Sequence, residues 1–345
     1  MTRPRALPAE LQRILLLRWE RLGDVVVTLP ALAAVRAAWP TAQITLVVRP
    51  EFVAWLRDAG VADDVVGLVP PWQGPSLRNA RNLLRWAQHF DVAFDFLGDP
   101  RNLACARVLA RHAVGYPVRG GGFLLSRVAE YRPDLPIAQQ HLQLVARAGP
   151  IIGADPVARL PLTQLCREAA EALLPPHVCN FVVLHPGAGQ PSKAWPHWER
   201  LAAQHRCGAE ICVVTGTALE AHQCAALERV LRRSGRAVWN LAGRTSVPAL
   251  AGILARARLV VAPDTGVVHL ARALGTPTLA LFGPVNPRIW GYTEPGHRSL
   301  AVAQPCSYCE QRHCPRRDHP GCCLDAITPA MVEAAIRDLQ PSLSQ

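Results

Sequence analysis

Lysine is almost missing from this chain of 345 residues. Of its 37 basic side chains, Lys193 is the only lysine and the other 36 are arginine. Runs of five or six like charges are missing as well. The net charge of +11 therefore forms no basic arm for DNA or RNA, and no nucleic-acid module signature is present. Apolar runs such as ILLL (14–17) and DVVVTLP (24–30) fall far short of the ~20 residues that span a bilayer. The opening MTRPRALPAELQR has no apolar stretch with a cleavage site, which predicts a chain that stays in the cytoplasm. The eleven cysteines are odd in number and five crowd into 306–323, which argues against a disulfide framework. Neither a Walker phosphate-loop spacing nor a short-period repeat occurs.

What is present points to an α/β protein. Half of the residues are hydrophobic, and the length suits two domains of roughly 150 to 170 residues each. A sequence pI near 9.5 favours anionic partners such as a nucleotide or a phosphorylated lipid. Strands are predicted at 13–19, 43–50, 91–98 and 112–118, with a helix at 25–39 that carries Pro30 in its first turns. After a connection at 150–178 the rhythm restarts. Strands are expected within 179–189, 210–217, 237–243, 259–266 and 276–284, and helices at 195–206, 219–235, 246–258 and 267–275. Ser246 is the expected N-cap of the third of these helices. The division predicted is 1–165 as a first Rossmann-like domain, 166–327 as a second, and 328–345 as a terminal helix able to pack back on the first. In such sheets ligands bind beyond the carboxyl ends of the strands, so a cleft between the domains is the expected active site.

Three loops carry the chemistry. In RWERLGDVVVTLP (18–30), Gly23 allows a tight turn and Asp24 stands at a helix N-terminus. By position alone a helix cap is the better reading for Asp24, and a general base facing the cleft is the sharper one. In HPGAGQPSKAWP (185–196), Gly187 and Gly189 open a loop whose backbone amides suit a phosphate, with Ser192 and Lys193 beyond. A solvated surface lysine is the bland alternative, but a lysine that survives so strong an arginine bias points to a chemical requirement. In VVAPDTGVVHLARALGTPTLALFGP (260–284), Thr265, Gly266 and the amides after them can hold a diphosphate at a helix start. His269 follows one turn later. A cap for Asp264 and a buried structural histidine for His269 remain the plain alternatives.

Taken together, GDVVVTLP (23–30), HPGAGQPSKAWP and DTGVVHLARALGTPTLALFGP (264–284) resemble the motifs of glycosyltransferase family 9, the ADP-heptose:lipopolysaccharide heptosyltransferases. NPRIWGY (286–292) and the late Cys-rich stretch look like the family too. The resemblance implies a GT-B fold and an inverting transfer of heptose from ADP-heptose to the anionic inner core of lipopolysaccharide. It implies that Asp24 is the general base and that Lys193 steadies the leaving diphosphate. It implies donor contacts at Gly187, Gly189, Ser192, Asp264, Thr265, Gly266 and His269, with Glu220 near the ribose and Thr245 near the adenine. Asp264, itself an anion, is assigned to sugar hydroxyls or to orienting its loop. Gly23, Arg49 and Arg119, with Arg127, fall in the acceptor half.

The resemblance further implies a monomer at the cytoplasmic face of the inner membrane, bound peripherally, with no nucleic acid partner. No cofactor is required for the chemistry, although a divalent cation could assist with the charge on ADP. Cys306, Cys309, Cys314 and Cys322 form a C-x2-C-x4-C-x7-C pattern, and a structural zinc knuckle and a reduced, unliganded cluster remain equal alternatives there. Two other functional readings stay open: a family 9 transferase with another nucleotide sugar or glycan, and a non-catalytic sugar-nucleotide-binding protein.

Overall fold

A computed structural model describes residues 7–8, 10–73, 81, 83–151, 153–204 and 211–339. Residues 205, 206, 210 and 340, which begin or end elements expected from the sequence, lie outside these. The chain divides into two compact units, Met1–Arg159 and Leu160–Gln345. The boundary falls a few residues before the expected 165/166 because the helix Gln164–Glu171 packs on Val247–Arg256 of the second unit. Gly252 is what lets them meet: a Cβ there would lie 2.0 Å from the Cys166 carbonyl oxygen.

The first unit is a six-stranded parallel sheet in the order β3-β2-β1-β4-β5-β6. The strands are β1 Arg13–Leu17, β2 Gln43–Val48, β3 Asp64–Gly67, β4 Phe90–Asp95, β5 Ala110–Gly115 and β6 Arg127–Val128. Strands β1 and β2 are nearly continuous apolar runs because both faces of a parallel sheet are covered. The first helix spans Leu22–Ala38, three residues earlier than predicted. Pro30 therefore lies in its interior rather than its first turns and removes one intrahelical hydrogen bond.

The second unit repeats the plan with β7 Phe181–Leu184, β8 Ile211–Val214, β9 Ala237–Asn240, β10 Leu259–Pro263, β11 Thr278–Phe282 and β12 His297–Ala301. Its order is β12-β11-β10-β7-β8-β9. Both sheets thus change direction at their centre, between β1 and β4 in the first and between β7 and β10 in the second. Connections leaving the two central strands diverge at that point and open a crevice at their carboxyl ends. Ser246 caps its helix as expected, its hydroxyl accepting from Ala249 N at 3.3 Å. The terminal helix Pro329–Leu339 belongs to the second unit. Val332, Ala335, Ile336 and Leu339 are buried in the second core with Trp195, Trp198 and Leu201.

Candidate active site

In the first unit the polar residues gather where β1 and β4 end. Leu17 pairs in register with Asp95, so the turn after β1 lies over the end of β4. Arg18 is 3% exposed and bridges two acids: its Nη1 is 3.5 Å from Glu20 Oε2 and its Nη2 is 3.5 Å from Asp24 Oδ1. Its Nε also donates to the Asp24 carbonyl at 2.9 Å. Asn102 donates to Glu20 at 3.3 Å and accepts from the Trp19 indole at 3.1 Å. Glu20 Oε2 is at ion-pair distance but has no hydrogen bond. Burial pushes the Glu20 carboxyl up despite the Arg18 charge. Asp95 is buried completely, and burial raises it to about 7 although Gly98 N donates to it at 2.8 Å.

Asp24 is a third-position helix residue rather than the N-cap, which is Arg21. Its Oδ2 accepts from Arg21 N at 3.2 Å, so the capping reading holds in part. Its side chain remains 27% exposed beside Arg18, so the carboxylate is partly open to solvent. Gly23 is buried in the same first turn. Arg49 bonds the Trp19 carbonyl at 3.2 Å, Arg119 reaches Asp99 at 3.8 Å, and Arg127 donates to the Ser126 carbonyl at 3.1 Å.

In the second unit the central strands bring together residues 71 positions apart. Lys193 follows β7, Asp264 follows β10, and Leu184 pairs with Val261 between them. Lys193 Nζ donates to Asp264 Oδ2 at 2.6 Å and lies 3.3 Å from the Asp264 carbonyl oxygen. The other carboxylate oxygen faces His269 Nε2 at 3.6 Å. His269 Nδ1 meets the Tyr292 hydroxyl at 2.5 Å. If that hydroxyl donates, Nδ1 is the acceptor and the ring proton sits on Nε2, toward the carboxylate. Burial alone would raise the Asp264 carboxyl, but the His269 hydrogen bond and then the Lys193 charge hold it below its ordinary value. Arg272 lies 4.7 Å over the Tyr292 ring and is ion-paired with Glu294.

Thr265 is the N-cap of the helix Gly266–Ala273, yet its side chain caps nothing. Its Oγ1 is buried without a hydrogen-bond partner among the described residues. An unpartnered hydroxyl at a helix start, beside free amides and a lysine, fits a diphosphate. Asp264 is therefore no cap; it is the hinge between Lys193 and His269. Gly187 is required for a different reason. A Cβ there would lie 2.2 to 2.4 Å from the Glu220 carboxylate, so glycine leaves the room that this Glu220 rotamer occupies. Glu220 accepts from Thr217 N at 2.7 Å and Thr217 Oγ1 at 2.9 Å. His185, at the start of the same loop, bonds Thr215 at 3.0 Å, and burial lowers it to about 4.

Two expected donor residues stand elsewhere. The Ser192 hydroxyl donates to the Gln311 carbonyl at 2.6 Å, so it clamps the lysine turn to the Cys-rich segment. Thr245 is half-buried, and among the described residues no hydrogen bond ties it to this cluster. Gly189 is exposed in the loop. Trp195 is buried and donates to the Ile327 carbonyl at 2.8 Å, which anchors the turn from its other end. Of the candidate metal ligands, Cys306 and Cys322 approach to 3.7 Å between sulfurs. Among the described residues no group of three or more His, Cys, Asp or Glu is arranged to hold a metal ion.

Arg18, Glu20, Asp95 and Tyr292 were not singled out from the sequence. Tyr292 lay within NPRIWGY, which carried a signal. Arg18 and Glu20 open the loop RWERLGDVVVTLP, but nothing in the sequence sets Arg18 apart from the other arginines.

Known proteins resemble the chain throughout. The family model described as glycosyltransferase family 9 (heptosyltransferase) matches residues 88–319. Lipopolysaccharide heptosyltransferase 1 of Pseudomonas aeruginosa is 31% identical over 330 residues, covering 88% of this chain and 87% of that protein. The protein of the same name from Escherichia coli K12 is 25% identical over 295 residues, covering 81% and 90%. Among solved structures, E. coli ADP-heptose lps heptosyltransferase II superimposes with a TM-score of 0.75 at 19% identity, covering 97% of this chain and all of that one. E. coli heptosyltransferase WaaC with ADP-2-deoxy-2-fluoro heptose gives 0.70 at 20% identity, covering 95% and 99%. These structures share the fold, which is of the GT-B class expected from the sequence.

Proposed function

The chain belongs to glycosyltransferase family 9, and on that premise we propose that it moves heptose from ADP-heptose onto the inner core of lipopolysaccharide, inverting the anomeric carbon. The observation that carries this reading is the Lys193–Asp264 pair beside the unpartnered Thr265 hydroxyl at a helix start. The leaving ADP gains negative charge as the glycosidic bond breaks. Lys193, the Thr265 hydroxyl and the amides of Gly266 onward oppose that charge, which favours the transition state over the bound donor. Asp264 fixes the ammonium in advance, so less reorganisation accompanies departure.

Asp24 takes the proton of the acceptor hydroxyl as its oxygen attacks the anomeric carbon. Positioned proton transfer of this kind contributes about 10² to 10⁴ in rate. Arg18 keeps Asp24 oriented through its two contacts. Glu220, free to cross the loop above Gly187, is suited to the ribose hydroxyls of the donor. Arg49 and Arg119 suit the anionic groups of the acceptor.

Lys193 and the helix terminus supply the positive charge, so transfer is proposed to run without a metal ion or other cofactor, and EDTA should leave the rate unchanged. The protein is proposed to act as a monomer at the cytoplasmic face of the inner membrane. No described helix is long and apolar enough to cross a membrane, so the association proposed is peripheral.

The test is ADP release from ADP-heptose with Kdo-containing lipid A and a panel of longer lipopolysaccharide acceptors. Release with one of them supports the reading. No release from folded protein with any acceptor overturns it. Stabilisation on heating by ADP, and not by UDP or GDP, separates it from a transferase with another nucleotide sugar.

A further inference from the structure

The edge of the first sheet carries a surface that shares only Arg119 with the residues assigned to the acceptor. Between β5 and β6 the chain turns through Gly120 and Gly121, both at positive φ, and then makes a single turn of 3-10 helix at Gly122–Leu124. Phe123 stands at the tip of that turn and is 88% exposed. It has company: Val118 is 51% exposed, Val128 43% and Leu97 40%.

Lone surface apolar residues are ordinary, but these four stand on neighbouring segments at one edge of the sheet. Val118, Val128 and Tyr131 line one groove of about 580 Å³ with Pro117, Glu130 and Arg147. Gly122 abuts the Pro117 ring, where an added Cβ would come to 3.2 Å, which joins the Phe123 turn to that groove. Gly98 abuts Val118 in the same way, which brings in Leu97.

The charge around this surface has one sign in excess. Around it stand Arg119, Arg127, Arg132 and Arg147 against Glu130 and Asp134, the last paired with Arg132. Arg119, at 72% exposed, and Arg101 share the single Asp99 carboxylate. A protruding aromatic with apolar neighbours and unbalanced guanidinium groups matches a surface that is anionic at its face and apolar just below it.

We propose that the 117–131 edge of the first unit docks on an anionic phospholipid bilayer, with Phe123 entering the boundary between headgroups and acyl chains. A protein partner fits less well, since the apolar atoms form a tip and a narrow groove rather than a flat patch. This inference rests on the peripheral association proposed above and names the surface that makes it; vesicle binding is read separately from ADP release, so its failure leaves the transfer reaction standing.

The experiment is sedimentation of the full chain with vesicles of phosphatidylglycerol and phosphatidylethanolamine, and with vesicles of phosphatidylcholine. Wild type should bind the anionic vesicles, release in high salt, and bind phosphatidylcholine weakly. Phe123→Ser should lower the partition by about tenfold or more, as expected for one aromatic side chain returned to water. Phe123→Trp should retain it. Both variants should keep the wild-type melting temperature and stabilisation by ADP, because the side chain contributes to no core. Equal partition of wild type and Phe123→Ser overturns the proposal, as does equal binding to both vesicle types. If wild type is a dimer without vesicles and Phe123→Ser a monomer, the surface is an interface between copies and the proposal also fails.

Discussion

Lys193 Nζ lies 2.6 Å from Asp264 Oδ2, across 71 residues of sequence and one strand pairing. The pairing exists because β7 and β10 are neighbours at the point where the second sheet changes direction. It converts a flexible lysine on a loop into a cation held at a fixed place, with Ser192 and Trp195 gripping the turn on either side.

Asp24 is both part of a capping arrangement and the proposed base, and one substitution separates the two roles. Asp24→Asn keeps an oxygen that can accept from Arg21 N, so stability should change by less than about 1 kcal/mol. Turnover should fall by about 10² to 10⁴. Urea denaturation together with kcat measures both. A variant that loses stability and keeps kcat makes Asp24 a cap and nothing more.

Tyr292 is expected to act through His269. Tyr292→Phe removes the hydroxyl at His269 Nδ1 and leaves a buried nitrogen without a partner, at a cost of about 1 to 3 kcal/mol. The ¹⁵N shifts of the His269 ring should change from a fixed tautomer with Nδ1 unprotonated to a mixture, and kcat should drop several-fold. Unchanged ring shifts would remove Tyr292 from the network.

Gly187→Ala should drive the Glu220 carboxylate out of the loop, since the new Cβ would overlap it. The expected effect is a raised KM for the donor with a smaller change in kcat. In a Glu220→Ala background the same substitution should cost little, because the clash is gone. Additive effects in the double variant would show that Gly187 answers to something else.

Two buried groups should give the stability opposite pH slopes. Asp95 has its carboxyl raised from 3.8 to about 7. Between those values the folded protein holds a proton that the unfolded chain lacks, so stability falls as pH rises. His185 is lowered from 6.5 to about 4. In that window the unfolded chain holds the extra proton, so its contribution is lost as pH falls. Asp95→Asn should therefore flatten the decline toward pH 7, and His185→Gln the decline toward pH 4, in urea midpoints measured across the range. An Asp95→Asn profile parallel to wild type between pH 4 and 7 would mean that Asp95 is ionised in the fold.

Much of this architecture was legible because buried parallel strands read as apolar runs. ILLL, ITLVV and LVVA could hardly be anything else. The strands that escaped notice are those at or near the sheet edges: DVVG in β3, RV in β6 and HRSLA in β12, where one side meets solvent and the pattern is short or polar. The helix Ile137–Ala146 escaped because its buried face carries Gln140 and His141. Of the site, the loops were legible through glycine and the one lysine. The partners that hold them were not, because Arg18, Asp95 and Tyr292 become special only when β1 meets β4 and when the 292 turn meets His269. Thr245 was named from resemblance in a loosely matched stretch, and nothing in its local chemistry ties it to the cluster.

The central claim is that the geometry of the Lys193 cation, and not its charge alone, steadies the departing diphosphate. Lysine offers a compact, rotatable point charge, whereas arginine would bring a planar fork into a turn already closed by Asp264 and Ser192. The direct measurement is kcat for ADP release by Lys193→Arg against wild type at saturating ADP-heptose. The account predicts a fall of about tenfold or more, with Lys193→Ala lower still by about 10² to 10³ relative to wild type. Wild-type kcat for Lys193→Arg would contradict it.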